Sequence, residues 1–136
     1  MVSLRNIIVD SNIWIFSVIS EYPEHPLAVT KLENFSRRGI ITNIIIISET
    51  YHKLSALLGC EKARFRVNKI LDSEFVQFSP LSEETMRKAL SLSCEKRLRI
   101  NDALIAQHCL DMKASVLTDN IRDFKKIRSL RIIGLR

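Results

Sequence analysis

Ile7-Ile8-Val9-Asp10-Ser11-Asn12 decides how the rest of this chain is read. Three β-branched residues in a row, apolar on both faces, suit a short strand buried inside a parallel sheet, and the run stops at an acid. The pattern returns near the other end, where Ser115-Val116-Leu117-Thr118 runs into Asp119. Ile40-Ile41-Thr42 reads as a second strand and Phe75-Val76-Gln77-Phe78, closed by Pro80, as a third; Leu130 to Ile133 reads as an edge strand. Between them the periodicity is helical. Asn12 to Ile19 is an apolar helix with Ser11 or Asn12 as its cap. Pro26 suits the start of the next helix, whose apolar stripe is Leu27, Val29, Leu32 and Phe35 and whose stop is Gly39. Ile44 to Ile47 is open between strand and helix; Ser48 to Leu58 is helical and Gly59 stops it. Further helices run from about Glu61 to Leu71, from the Ser82 cap to about Arg97, and from Asp102 to Lys113 with Asn101 as cap. Strands alternating with helices indicate an α/β layer fold around a mainly parallel sheet, whose working residues gather at the carboxyl ends of the strands.

The composition agrees. With 136 residues, 46% apolar and 26% charged, the chain has the size and make-up of one globular domain, taken as residues 1–136. Its 21 Lys and Arg against 15 Asp and Glu give a formal charge of +6, which suits a polyanionic partner or a merely basic surface. Three glycines and no Gly-x-Gly-x-x-Gly exclude a dinucleotide loop. Cys60, Cys94 and Cys109 include no Cys-x-x-Cys pair, which argues against structural zinc; each reads as a small buried apolar residue in a reducing cytoplasm. The first six residues lack a signal-peptide core and no stretch is long enough to span a membrane, so the expected location is cytoplasmic.

The acids carry the chemistry. Asp10 and Asp119 end strands, while Glu49 and Asp102 stand near helix starts. Each alone has an ordinary reading as a cap, a turn former or a first-turn acid. At one end of a sheet they would repel one another, and hard divalent ions such as Mg²⁺ or Mn²⁺, which take oxygen ligands, remove that cost. A basic surface around such a pocket would suit a nucleic acid.

Four blocks resemble the PIN-domain family, and within it the small toxin ribonucleases of VapC type. These are Ile7 to Ile13; Ile46-Ile47-Ser48-Glu49; Ile100-Asn101-Asp102-Ala103-Leu104-Ile105-Ala106; and Val116 to Phe124 with its Thr118-Asp119-Asn120 and Asp123-Phe124. The resemblance covers essentially the whole chain. It implies a three-layer PIN-like fold, with helices flanking the sheet, and Mg²⁺- or Mn²⁺-dependent hydrolysis of RNA phosphodiesters. It makes Asp10, Glu49 and Asp102 the catalytic acids, with Asp10 and Asp102 as the principal metal ligands and Glu49 assisting directly or through water. Ser11, Asn12 and Thr118 would support them. The chain departs from the family pattern at Asn120, where many members carry an acid, so Asp119, Asn120 and Asp123 all stand as candidates to complete the site. The resemblance also implies a homodimer, with Trp14 and Phe16 as core or dimer surface, and a small antitoxin partner. His52, one turn after Glu49, could face the site; His108 reads as packing or a polar helix face, and His25 as a loop residue.

Other classes fit less well. An aspartyl phosphotransferase would want an acid at Asn12, and a receiver domain would want adjacent acids near the first strand. A non-toxin RNA-processing nuclease and a non-catalytic RNA-binding PIN domain remain alternatives; retention of Asp10, Glu49 and Asp102 speaks against the second.

Overall fold

The computed structural model describes residues 6–136. Most of the N-terminal stretch read above for a signal peptide lies outside the described residues. The elements run β1 (Ile7–Val9), α1 (Ser11–Val18), α2 (His25–Ser36), β2 (Ile40–Thr42), α3 (Ile44–Leu58), α4 (Cys60–Asp72), β3 (Val76–Phe78), α5 (Glu83–Lys96), α6 (Ile100–Met112), β4 (Ser115–Thr118), α7 (Ile121–Phe124) and β5 (Ile132–Gly134). The five strands form one sheet in the order β3-β2-β1-β4-β5, and every pair is parallel.

That order explains the layers. The chain steps outward from β1 to β2 to β3, then returns across the sheet to β4. Right-handed crossovers therefore put α1 to α4 on one face and α5 and α6 on the other. The reversal of direction lies between β1 and β4, where parallel sheets open a crevice at their carboxyl ends. The middle strands β1, β2 and β4 are buried along their whole length, including the polar Thr42, Ser115 and Thr118 at the strand ends, whereas β3 and β5 form the edges. Ile8, Val9, Ile13, Ile105, Leu117 and Phe124 are sealed in the main core.

Several expectations change. The cap of α1 is Asp10, not Ser11 or Asn12: its carboxylate accepts the Ser11 N–H. The run Ile44 to Ile47 is helix, because Asn43 Oδ1 accepts the Ile46 N–H at 2.9 Å and starts α3 there. Helix α2 buries Ala28 and half-buries Leu32 and Phe35, while Leu27 faces outward, so the stripe is narrower than drawn. That helix ends at Ser36, and Gly39, with φ +91°, instead turns the chain into β2. Asn101 does not cap α6, which already begins at Ile100. Of the cysteines only Cys109 is buried; Cys60 and Cys94 are exposed. Trp14 is core, and Phe16 is half-buried with its ring edge-on to Tyr22.

Candidate metal centre

The carboxyl ends of β1 and β4 meet at a cleft of about 350 Å³. Asp10, the first residue after β1, is buried there and held by three donors. The Ser11 N–H bonds Oδ1 at 2.8 Å, and the Thr118 hydroxyl and Asn12 amide bond Oδ2 at 2.7 and 3.3 Å. The Thr118 hydroxyl in turn accepts the Asn120 N–H at 2.9 Å, and Asn12 Oδ1 accepts the Asp119 N–H at 3.2 Å. The two strand ends are thus tied together through the side chains that orient Asp10.

Even with these donors the Asp10 carboxyl is pushed up to about 6. Burial is the main cause. The Thr118 and Ser11 hydrogen bonds pull the other way, and the negative charges of Asp102 and Glu49 add to the rise. Asp102, in the first turn of α6, is also raised, first by burial and then by Glu49 and Asp123, against the opposing pull of Arg99 and Lys53. Its carboxylate accepts no hydrogen bond among the described residues, although the residue is buried and lines the cleft.

Glu49 comes from the second turn of α3 and is held from both sides. Ser11 donates to Oε1 at 3.4 Å; Asn101 and Arg99 donate to Oε2 at 3.2 and 3.3 Å. Asn101, read from sequence as a helix cap, therefore orients an acid instead. His52 and Lys53, a turn further along α3, line the cleft with Arg99. Sequence reasoning missed Lys53 and Arg99; a base four residues after Glu49 and another three before Asp102 was the available signal.

The three candidates after β4 separate. Asn120 lines the cleft. Asp123 acts on Asp102 by its charge and lies 3.7 Å from Lys126 Nζ. Asp119 points to Arg136, 3.6 Å away, and is not part of the cleft lining. The remaining histidines lie elsewhere. His108 is buried between Asn43 (2.8 Å) and Ser79 (3.2 Å), and burial lowers its pKa. His25 holds the Phe16 carbonyl oxygen at 2.7 Å through Nδ1. A larger hollow of about 440 Å³ beside Trp14 is lined mostly by apolar groups and holds one carboxylate, Glu33.

Among the described residues no three His, Cys, Asp or Glu side chains converge tightly enough for a ready-made cage. The donor set still fits a small hard cation. Mg²⁺ binds through one or two carboxylates and keeps most of its waters, and Asp102 offers a carboxylate with no donor of its own beside the strained charge of Asp10. Both Glu49 oxygens are already engaged, which suits contact through water.

A family model of the PIN domain matches residues 7–130. Solved structures share the fold at low identity. The chain is similar to VapBC2 from Rickettsia felis bound to a promoter DNA fragment (20% identity, 95% of this chain and 98% of that one, TM-score 0.77). It is similar to VapC20, a sarcin–ricin-loop-cleaving toxin from Mycobacterium tuberculosis (18%, 81% and 86%, TM-score 0.71). It is also similar to a toxin–antitoxin complex from Klebsiella pneumoniae (18%, 96% and 98%, TM-score 0.70). A search of curated proteins gave no match.

Proposed function

We propose, for a chain that belongs to the PIN-domain family, that residues 1–136 form one cytoplasmic domain acting as a Mg²⁺- or Mn²⁺-dependent endoribonuclease, the toxin of a toxin–antitoxin pair. One observation carries the reading: in a chain of charge +6, the buried Asp10 and the donor-free Asp102 face the same cleft at the sheet's crevice. Toxins and toxin–antitoxin complexes among the structural neighbours support the partner and the biological role.

Asp10 and Asp102 would hold the ion, which when bound activates a water and neutralises charge on the phosphate. The protein's share is positioning. Thr118, Ser11 and Asn12 fix the Asp10 carboxylate, so it loses little freedom on binding a cation. Ser11, Asn101 and Arg99 aim Glu49 into the cleft, where it can hold a water. Lys53 and Arg99 make the cleft wall attractive to a phosphodiester, and Asn120 adds an amide to the same lining. A homodimer belongs to the same proposal, although Trp14 is spent on the core of its own chain.

The test is cleavage of an end-labelled RNA. The protein should cut with Mg²⁺ or Mn²⁺ and stop in excess chelator, and Asp10→Asn and Asp102→Asn should each abolish cutting while remaining folded. Undiminished cleavage in chelator would overturn the metal reading; RNA bound but uncut with metal present would favour a non-catalytic binder. Growth arrest on induction, relieved by Asp102→Asn, is the expected outcome for a toxin. Harmless expression of active protein would contradict that role.

A further inference from the structure

We propose that Arg99 is a movable counter-ion of the cleft. It neutralises Glu49 in the absence of a cation, gives way when a divalent cation enters, and then binds the phosphodiester. The inference rests on the nuclease reading above and deepens it.

The backbone and the side chain of Arg99 differ in freedom. Its carbonyl oxygen accepts the Ala103 N–H at 2.9 Å in the first turn of α6, and the adjoining Leu98 is buried. Its side chain is 71% exposed, makes no capping hydrogen bond, and holds Glu49 Oε2 at 3.3 Å. It makes no other ion pair among the described residues. One exposed pair of that length is worth little, so a stronger competitor displaces it at small cost. Asn101 and Ser11 donate to the same carboxylate without carrying charge. They keep Glu49 in place once the guanidinium has left. Arg99 also faces Asp102, whose ionised form its charge favours.

Charge gives the direction of the exchange. Asp10, Glu49 and Asp102 line the cleft against two bases, Lys53 and Arg99, which leaves one net negative charge when all are ionised. A phosphodiester, itself singly negative, is repelled by that balance. A divalent cation turns the balance to one net positive charge. The acids then have a better counter-ion than Arg99, and the guanidinium is free for a phosphate oxygen. Arg99 and the cation therefore compete for the acids, whereas Arg99 and the cation cooperate towards RNA. A fixed Glu49–Arg99 pair would behave otherwise: losing the guanidinium would loosen Glu49 and weaken the cation's site.

Calorimetric titration with Mn²⁺ at pH 7 separates the two. Arg99→Gln should bind Mn²⁺ about three- to tenfold more tightly than the unmodified chain, the relief expected when a unit charge beside a divalent ion is removed in water. Arg99→Lys, which keeps the charge, should stay within about twofold of the unmodified chain. Asn101→Ala, which removes a neutral donor from Glu49, should bind Mn²⁺ more weakly. In cleavage of an end-labelled RNA at saturating Mn²⁺, Arg99→Gln should raise KM severalfold and leave kcat nearly unchanged. With Mn²⁺ bound by the unmodified chain, unchanged or weaker binding in Arg99→Gln would overturn this inference alone. An equal gain in Arg99→Lys would overturn it too, because charge would not be the cause. An unchanged KM would overturn the handover to phosphate. No Mn²⁺ binding by the unmodified chain would overturn the nuclease reading and this inference together.

Discussion

Asp10 shows how far a single residue can be read and where reading stops. Its position after an apolar strand is visible in the sequence, but its energetic state depends on the burial and the neighbours that only the folded chain supplies. Held at about 6 against an ordinary 3.8, folded Asp10 keeps its proton between about pH 4 and pH 6, where the unfolded chain has released it. The folded state then binds more protons, so stability falls as pH rises through that window and the cost is complete above about pH 6. The difference corresponds to at most about 3 kcal/mol, less whatever relaxation and water relieve. In chelator at pH 7, Asp10→Asn should therefore melt a few degrees above the unmodified chain, and the gap should close towards pH 4 in thermal melts. A gap that is absent at pH 7 or widens in acid would contradict this account of Asp10. The residues after β4 were the least legible, since Asp119, Asn120 and Asp123 all lie near one strand end and only their side-chain directions separate them. Asn120 in the cleft and Asp123 beside Asp102 should each, when changed to Ala, weaken Mn²⁺ affinity by roughly 10–100-fold. Asp119→Ala, with its carboxylate turned to Arg136, should weaken it less. Calorimetric titration of the three variants checks the order; an Asp119 effect equal to that of Asp102→Asn would make Asp119 a direct ligand.

At the scale of elements, the central strands were legible because burial on both faces favours consecutive apolar residues, and β1 (Ile7-Ile8-Val9) and the Val116-Leu117 centre of β4 fall where those residues do. Ile44 to Ile47 was ambiguous for the same reason: a four-residue apolar run carries no period. The deciding group lies just outside it. Asn43 caps α3 with its amide oxygen and, through its amide nitrogen, donates to His108 Nδ1, which leaves the His108 Nε2–H for the Ser79 hydroxyl. Neutral His108 satisfies both partners, in keeping with its lowered pKa. Asn43→Ala removes the cap, worth about 1 kcal/mol, and leaves a buried ring nitrogen without its donor, at a similar or larger cost. Together these should cost about 2 kcal/mol or more, roughly 6–8 °C in Tm for a chain of this size. Asn43→Asp keeps the cap and should fall between the two. Urea or thermal unfolding of the pair tests this; a neutral Asn43→Ala would mean that α3 is started by packing alone. The α2 stripe was misjudged because periodicity reveals which residues share a face but not how deep that face lies. Cys60 and Cys94 were misjudged because a small residue fits both core and surface.

Across the whole molecule, a sheet that reverses direction between β1 and β4 collects acids from distant parts of the sequence into one cleft, while the chain as a whole remains positively charged. Nothing in the packing of the core requires Asp10 and Asp102 to be charged neighbours, and burial works against both. On the proposed function a hard divalent cation would resolve that conflict, which is the central claim. Calorimetric titration of the folded protein with Mn²⁺ at pH 7 tests it most directly, alongside Asp102→Asn at matched concentration. The account predicts saturable binding by the unmodified chain, release of protons on binding, a raised Tm in Mn²⁺, and loss of all three in Asp102→Asn. Binding that is absent from the unmodified chain, or unchanged in Asp102→Asn, would contradict it.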